Sequence, residues 1–193
     1  DDDYKRFSCF VAFASQSAID ELGQYIQDSK KHIQSFNIFI GIDHKGTSKE
    51  ALEGLLDLDV NTSVFYTISR ITFHPKIFLF EGDKKCRIII GSSNLTQQGL
   101  FQNVEASIVT DFTRPDRDGE NLLNQIHGYF ELFFKAECKN LQKLSQELIE
   151  DLHRAKIIPN EKERSQIQEA KVSPKKRTKE GLVKKINELF PVM

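Results

Sequence analysis

Two side chains in the middle of the chain have the types and spacing for acid–base or nucleophilic chemistry. His74-Pro75-Lys76 sits inside a strand-like apolar run from Ile71 to Phe80. Period-two alternation puts His74 and Lys76 on one face, about 6–7 Å apart along a strand. An imidazole can attack or carry a proton, and an ammonium beside it can hold an anion. Taken alone, the pair is explained as well by a solvated edge, because Pro75 has no N–H for the ladder and proline is confined to edges and strand starts. Two further features follow it. Gly91-Ser92-Ser93-Asn94 comes directly after the apolar run Arg87–Ile90. Small hydrogen-bonding residues then stand at a strand's carboxyl end, where ligands bind in open α/β sheets, although a plain turn uses the same residues. Glu105 interrupts Asn103-Val104-Glu105-Ala106-Ser107-Ile108, a run that reads as a buried strand and would equally suit a half-exposed one.

In order and spacing, His74-x-Lys76, then Asn94 twenty residues after the histidine, then Glu105 eleven residues further, resemble the phospholipase D-like superfamily. The nearest likeness is its branch of metal-independent type II restriction endonucleases, the BfiI-like catalytic domains. The motif zone runs from about Phe73 to Phe112; the preceding region is compatible and the tail is not covered. One position departs. The superfamily pattern has Asp five residues after the lysine, where this chain has Glu81, with Asp83 out of register. That counts against a lipase more than a nuclease, since the nuclease branch also uses the later Glu.

The resemblance implies an α/β fold, with a mixed sheet flanked by helices on both faces in a phospholipase D-like α-β-α sandwich. It implies a phosphodiester cleaved without a metal or any other cofactor. One histidine attacks to form a phosphohistidine while a second protonates the leaving oxygen, each His-x-Lys half coming from a separate repeat or subunit. This chain holds a single His-x-Lys, so the second is expected from a twofold-related copy, giving one active site per homodimer. Lys76 and Asn94 are expected to hold the non-bridging oxygens, with Ser92 or Ser93 adding a hydroxyl. Glu105 is expected to accept from the imidazole, fixing its tautomer and steadying its cation. His32, His44, His127 and His153 are read as inert.

The elements around these residues are legible from pattern. Ser8–Ala14 and Phe36–Asp43 are compact apolar runs of buried-strand length. Between them, Ser17 opens a helix on the apolar stripe Ile19, Leu22, Tyr25, Ile26 and Ile33, with Asp20 and Glu21 in its first turn. Thr47-Ser48-Lys49-Glu50 fits a capping box for a helix through Leu58. Asn61–Ser69 is β-branched and aromatic, a third strand. The alternation then gives way to successive strands, Ile71–Phe80, Arg87–Ile90 and Val104–Phe112. A long helical region follows from Asp118 to about Lys156, with Leu122, Ile126, Tyr129, Phe130, Phe133 and Phe134 on one stripe and a break near Lys139-Asn140. Beta-alpha-beta units followed by adjacent strands imply a mixed sheet with helices on its faces.

Pro159 and the charges of Asn160–Arg164 are expected to weaken order, Val172–Lys179 reads as a solvated linker, and Gly181–Phe190 as one short helix. Residues 1–158 are therefore read as the phospholipase D-like catalytic domain, and 159–193 as a charged linker and short helix leading to a DNA-binding domain. Net charge is unevenly placed. Residues 171–193 hold seven basic and two acidic side chains, a net of +5, which leaves −6 for residues 1–170 out of a total of −1. A nucleic-acid binder ordinarily shows a basic balance, so affinity must come from a local patch, the basic tail or an attached domain.

The 193 residues, 39% of them hydrophobic, suffice for one core. No apolar run nears the ~18 residues of a membrane helix. Three widely spaced cysteines show neither zinc-ligand spacing nor a disulfide framework and fit a reduced, cytoplasmic setting. No signal-peptide pattern opens the chain, and no Gly-rich loop with its lysine is present, which argues against nucleotide hydrolysis. The partners implied are DNA, a second copy and, where restriction is coupled to translocation, an ATPase or translocase subunit; no membrane is implied. The competing readings are a phospholipase D-type lipid phosphodiesterase, disfavoured by small size and one motif copy, and a non-catalytic module that only binds phosphate or nucleic acid.

Overall fold

The two apolar runs form the central strands: β1 (Arg6–Val11) and β2 (Ser35–Gly41) pair in parallel from Arg6 with Ser35 to Val11 with Ile40. The computed structural model describes residues 3–69 and 71–172. Around this pair lie β3 (Asn61–Phe65), β4 (Lys76–Glu81), β5 (Lys85–Gly91), β6 (Ser107–Thr113) and β7 (Leu141–Lys143), in the order β6-β5-β4-β1-β2-β3-β7. β1, β2 and β3 run parallel, while β4, β5, β6 and β7 are each antiparallel to the neighbour they join. The expected mixed sheet is therefore present.

Side-chain alternation along the strands sends apolar residues to both faces. Cys9 and Val11 of β1, with Ile38 and Ile40 of β2, pack under α1 (Gln16–Ser29), α2 (Lys49–Asp57) and α5 (Gln146–Arg154). Phe10, Phe39, Leu79 and Ile88 face the other way, against α3 (Arg117–Tyr129) and α4 (Glu131–Phe134). On that second face Phe10 stacks on Phe39 at 4.7 Å and on Phe130 at 4.0 Å between ring centroids. The result is a helix–sheet–helix sandwich.

Several element boundaries depart from expectation, each for a local reason. Ser15 caps α1 by accepting from Ala18 N, so the helix begins at Gln16 and Asp20 and Glu21 fall past its first turn. Ser48, not Thr47, caps α2; the Thr47 hydroxyl is used to donate to Gly41 O and accept from Ala14 N. β3 stops at Phe65. β4 starts only at Lys76 because Pro75 has no N–H to give, which leaves His74 in the loop before the strand. β6 starts at Ser107, since Ser92 takes both backbone groups of Ala106: Ser92 N donates to Ala106 O and Ala106 N to Ser92 Oγ.

The long helical region is three helices, α3, α4 and α5, with a strand before the last. Leu132 O accepts from Glu137 N and Cys138 N to close α4, Ala136 takes a positive φ of 54°, and Leu141–Lys143 then pairs with β3 as β7. Residues 160–164 do not lose order. Asn160 Oδ1 accepts from Glu163 N at 2.8 Å and Glu163 Oε2 accepts from Asn160 N at 3.2 Å, a reciprocal cap that opens α6 (Glu161–Val172). Glu161 then binds Gln16 N and the 2% exposed Arg164, tying α6 to the first layer. The expected helix at 181–190 lies outside the described residues.

Candidate active site

Five chain segments meet at one edge of the sheet. Parallel β1 and β2 and the like-directed β5 end there, whereas β4 and β6, running oppositely, begin there. The loops after Val11, Gly41 and Gly91, and those before Lys76 and Ser107, are thus neighbours although they span most of the chain. Four sequence-predicted residues, His74, Lys76, Asn94 and Glu105, are on these loops or at these strand ends.

Lys76 is 8% exposed, held by ladder pairing with Val11. Its Nζ lies 2.7 Å from Nδ1 and 3.1 Å from Nε2 of His74 and donates to His74 O at 3.3 Å. A neutral imidazole can accept from the Lys76 ammonium through its lone pair, whereas the imidazolium would be repelled by it. Burial, the Lys76 charge and then His44 all hold the His74 pKa below its ordinary value. Burial also lowers Lys76, opposed by the negative charge of Glu105.

The loop that carries His74 is stitched to the end of β2. Asp43, 8% exposed, accepts from Phe73 N through Oδ2 at 3.2 Å, and His44 Nε2 lies 3.1 Å from Thr72 Oγ1. The approach is close enough to need glycine at 41: a Cβ there would lie 2.8 Å from Ala12 O and 3.0 Å from Phe73 O. His44 and Lys45 both take positive φ, 54° and 57°, a strain non-glycine residues carry only where surrounding bonds impose it. Phe13 stands edge-on to the His74 ring at 5.8 Å.

Asn94 is set from the β5 side. Its Oδ1 accepts from Ala12 N at 3.2 Å and Phe13 N at 3.3 Å. Two backbone donors on one oxygen decide the amide orientation and leave the –NH₂ as the group available to a ligand. Glu105 is placed differently from expectation. It lies in the loop before β6 and not in a strand, and its carboxylate is held by the Ser92 hydroxyl and by Asn103 Nδ2 at 3.0 Å, not by the imidazole. The Ser92 and Asn103 bonds, and less strongly the Lys76 charge, keep its pKa below the ordinary carboxylate value. Glu105 thus faces Lys76 electrostatically, and Ser92 braces Glu105 and Ala106. Ser93 is not gathered with them; it lines an apolar groove beside α1 with Phe78 and Leu95.

Glu81 has a different task from the site residues. It ends β4 at the opposite sheet edge, 3% exposed, within 3.1 Å of His127 Nε2, 3.4 Å of Arg6 and 3.7 Å of Arg114. Burial pushes its carboxyl up, but His127 and Arg6 outweigh that and bring it below the usual range. The departure from the superfamily Asp therefore falls on a structural brace. Asp43, His44, Phe13 and Thr72 were missed by motif reading. Their one sequence signal is position, since Asp43-His44 follows the second buried strand at the same carboxyl edge. Among the described residues no group of three or more His, Cys, Asp or Glu could hold a metal ion, and no helix is long and apolar enough to cross a membrane.

A two-layered helix cover on a mixed sheet, with His-x-Lys, Asn and Glu gathered at one edge, defines a phospholipase D-like domain. Residues 3–150 match the family described as the NgoFVII restriction endonuclease N-terminal PLD domain, and the chain belongs to that family. Among solved structures it is similar to Nuc, a phospholipase D family member from Salmonella typhimurium, at 13% identity and TM-score 0.48, covering 74% of this chain and 84% of that one. A yeast tyrosyl-DNA phosphodiesterase mutant matches at 14% identity and TM-score 0.41 over 57% of this chain and 26% of that one. Polyphosphate kinase from Porphyromonas gingivalis matches at 11% identity and TM-score 0.49 over 75% and 20%. No curated protein sequence matches the chain.

Proposed function

We propose that the chain is the catalytic domain of a metal-independent endodeoxyribonuclease that works through a covalent phosphohistidine at a site shared by two copies. The observation that carries this reading is the His74 imidazole 2.7 Å from Lys76 Nζ, with Asn94 at the same sheet edge and its amide oxygen already taken by Ala12 N and Phe13 N. Those three groups supply a nucleophile and two anion donors.

In the proposed reaction a His74 nitrogen attacks phosphorus, the N–P bond forms and the P–O bond to the leaving oxygen breaks. That oxygen takes its proton from the His74 imidazolium of the second copy. Lys76 and Asn94 hold the non-bridging oxygens, and Glu105 acts through Lys76 by sustaining its charge. Water, deprotonated by the second imidazole, then cleaves the N–P bond. One imidazole cannot be nucleophile and acid at once, which is the argument for a homodimer with one centre on its twofold axis. The body of net −6 gives little counterion release, so sequence specificity falls to an attached DNA-binding domain and, in a larger assembly, to an ATPase or translocase subunit.

Plasmid nicking should persist in excess EDTA, and labelled DNA should leave acid-labile, alkali-stable label on the wild-type chain but none on His74→Ala. Strict dependence on added Mg²⁺, or label retained on His74→Ala, would sink the mechanism. Hydrolysis of phosphatidylcholine without DNA cleavage would move the chain to the lipid reading.

A further inference from the structure

On the α3 side of His74 the surface opens into a cleft of about 600 Å³, within the ~300–1,000 Å³ of small-ligand sites. His74 and Pro75 line it together with residues of α3. Its floor is aromatic: Phe65, Phe73 and Phe133 lie nearly parallel, with interplanar angles of 26°, 16° and 14° and centroids 5.1 to 5.7 Å apart. On the rim stand Tyr129, 83% exposed, and the exposed amide of Gln125. Among the described residues no Lys or Arg lines the cleft.

Such an aromatic lining welcomes a flat, neutral, π-faced group whose edge still needs hydrogen bonds. Tyr129 belongs to a stripe whose pattern called for burial, yet its ring packs only edgewise on Phe130, at 4.9 Å and 79°. A base is joined to its own phosphate through one sugar, and His74 is common to the cleft and the phosphate corner. An acyl chain would use the floor but leave the Gln125 amide without a role.

We propose that this cleft is a nucleobase subsite, which takes the base of the nucleotide adjoining the attacked phosphate, stacked against Tyr129 and read at its edge by Gln125. The proposal rests on the nuclease reading and narrows it: a base inside an intact duplex cannot enter, so the substrate at the moment of attack is unpaired or turned out of the stack.

The test is equilibrium binding of short single-stranded oligonucleotides that carry 2-aminopurine, against the same sugar–phosphate backbone with abasic positions, using the full chain. Wild type should quench 2-aminopurine and bind the base-bearing strand more tightly. Tyr129→Ala should weaken that binding by about ten-fold or more, within the range of one lost base–aromatic stack, while Tyr129→Phe retains it and abasic binding is unchanged in both. Equal affinity for base-bearing and abasic strands, or Tyr129→Ala binding as wild type does, would overturn the proposal. So would Tyr129-dependent binding to neutral phosphatidylcholine vesicles without quenching, which assigns the cleft to acyl chains. Failure of the nuclease reading is a separate result: quenching intact with no DNA cleaved under any condition. Melting temperatures equal to wild type show that Tyr129→Ala folds.

Discussion

Substituting Asn94 in two ways should separate its structural task from its chemical one. In Asn94→Ala the N–H groups of Ala12 and Phe13 lose their shared acceptor. An unpaired buried donor costs about 1–3 kcal/mol; Ala12 is fully buried whereas Phe13 is partly exposed and can turn to water, which places the pair together at about 1–3 kcal/mol. For a domain of this size a loss of 1 kcal/mol lowers Tm by about 2–4 °C, so calorimetry should record a drop of several degrees. Asn94→Asp keeps the acceptor oxygens and should melt within about 2 °C of wild type. Activity should follow another order. Both variants lose the outward –NH₂, and removal of one such donor costs about 10²–10³ in kcat. Asn94→Asp also turns a carboxylate toward an anion, so it should be the less active of the two despite being the more stable. Tm unchanged in Asn94→Ala would show that the amide oxygen does not cap β1. Asn94→Asp cleaving within ten-fold of wild type would show that the amide nitrogen does not face the phosphoryl group.

Co-refolding His74→Ala subunits with wild type should make activity fall as the square of the wild-type fraction; a linear fall would reject the shared site. In an NMR titration the His74 midpoint should lie below its ordinary 6.5, and Lys76→Met should raise it; a wild-type midpoint at or above 6.5 contradicts the assigned environment. Because the unfolded histidine is then the better proton acceptor, this group's contribution to stability is present above ~6.5 and is lost as pH falls toward the folded value. Glu81→Gln should lower Tm by several degrees at pH 7, breaking a buried, multiply paired carboxylate. With its folded pKa depressed, that difference should shrink as pH falls below the usual glutamate range; a gap constant down to pH 3 would mean Glu81 is not ionised in the fold.

The residues that could be read from sequence are those whose chemistry does not depend on neighbours far along the chain. His74, Lys76 and Asn94 announce themselves by type and spacing, and the buried strands by unbroken apolar runs. Errors arose where one polar group had two uses to choose between. Thr47 satisfies a capping pattern yet spends its hydroxyl on Gly41 and Ala14, leaving Ser48 to cap. Asn160-x-x-Glu163 looks like part of a charged linker and is a helix cap. Tyr129 shares a stripe with Phe130 but stands at a helix end with its ring in water. Glu105 shows the limit for chemistry, since spacing placed it at the site but only the fold of the 103–107 loop decides that Ser92 and Asn103 take its oxygens. His44 carries no motif at all and is brought near His74 by long-range pairing.

The gathering of loops from Ala12 to Glu105 at one sheet edge has a consequence for biosynthesis. The donors that orient Asn94 directly follow β1, the strand that presents Lys76 is paired to β1 and β5, and Glu105 stands in the loop that leads into β6. No stretch of nascent chain shorter than about residue 113 can hold the corner together. The corner therefore cannot assemble on the ribosome until almost the whole sheet has closed, and a product that ends before β6 lacks it.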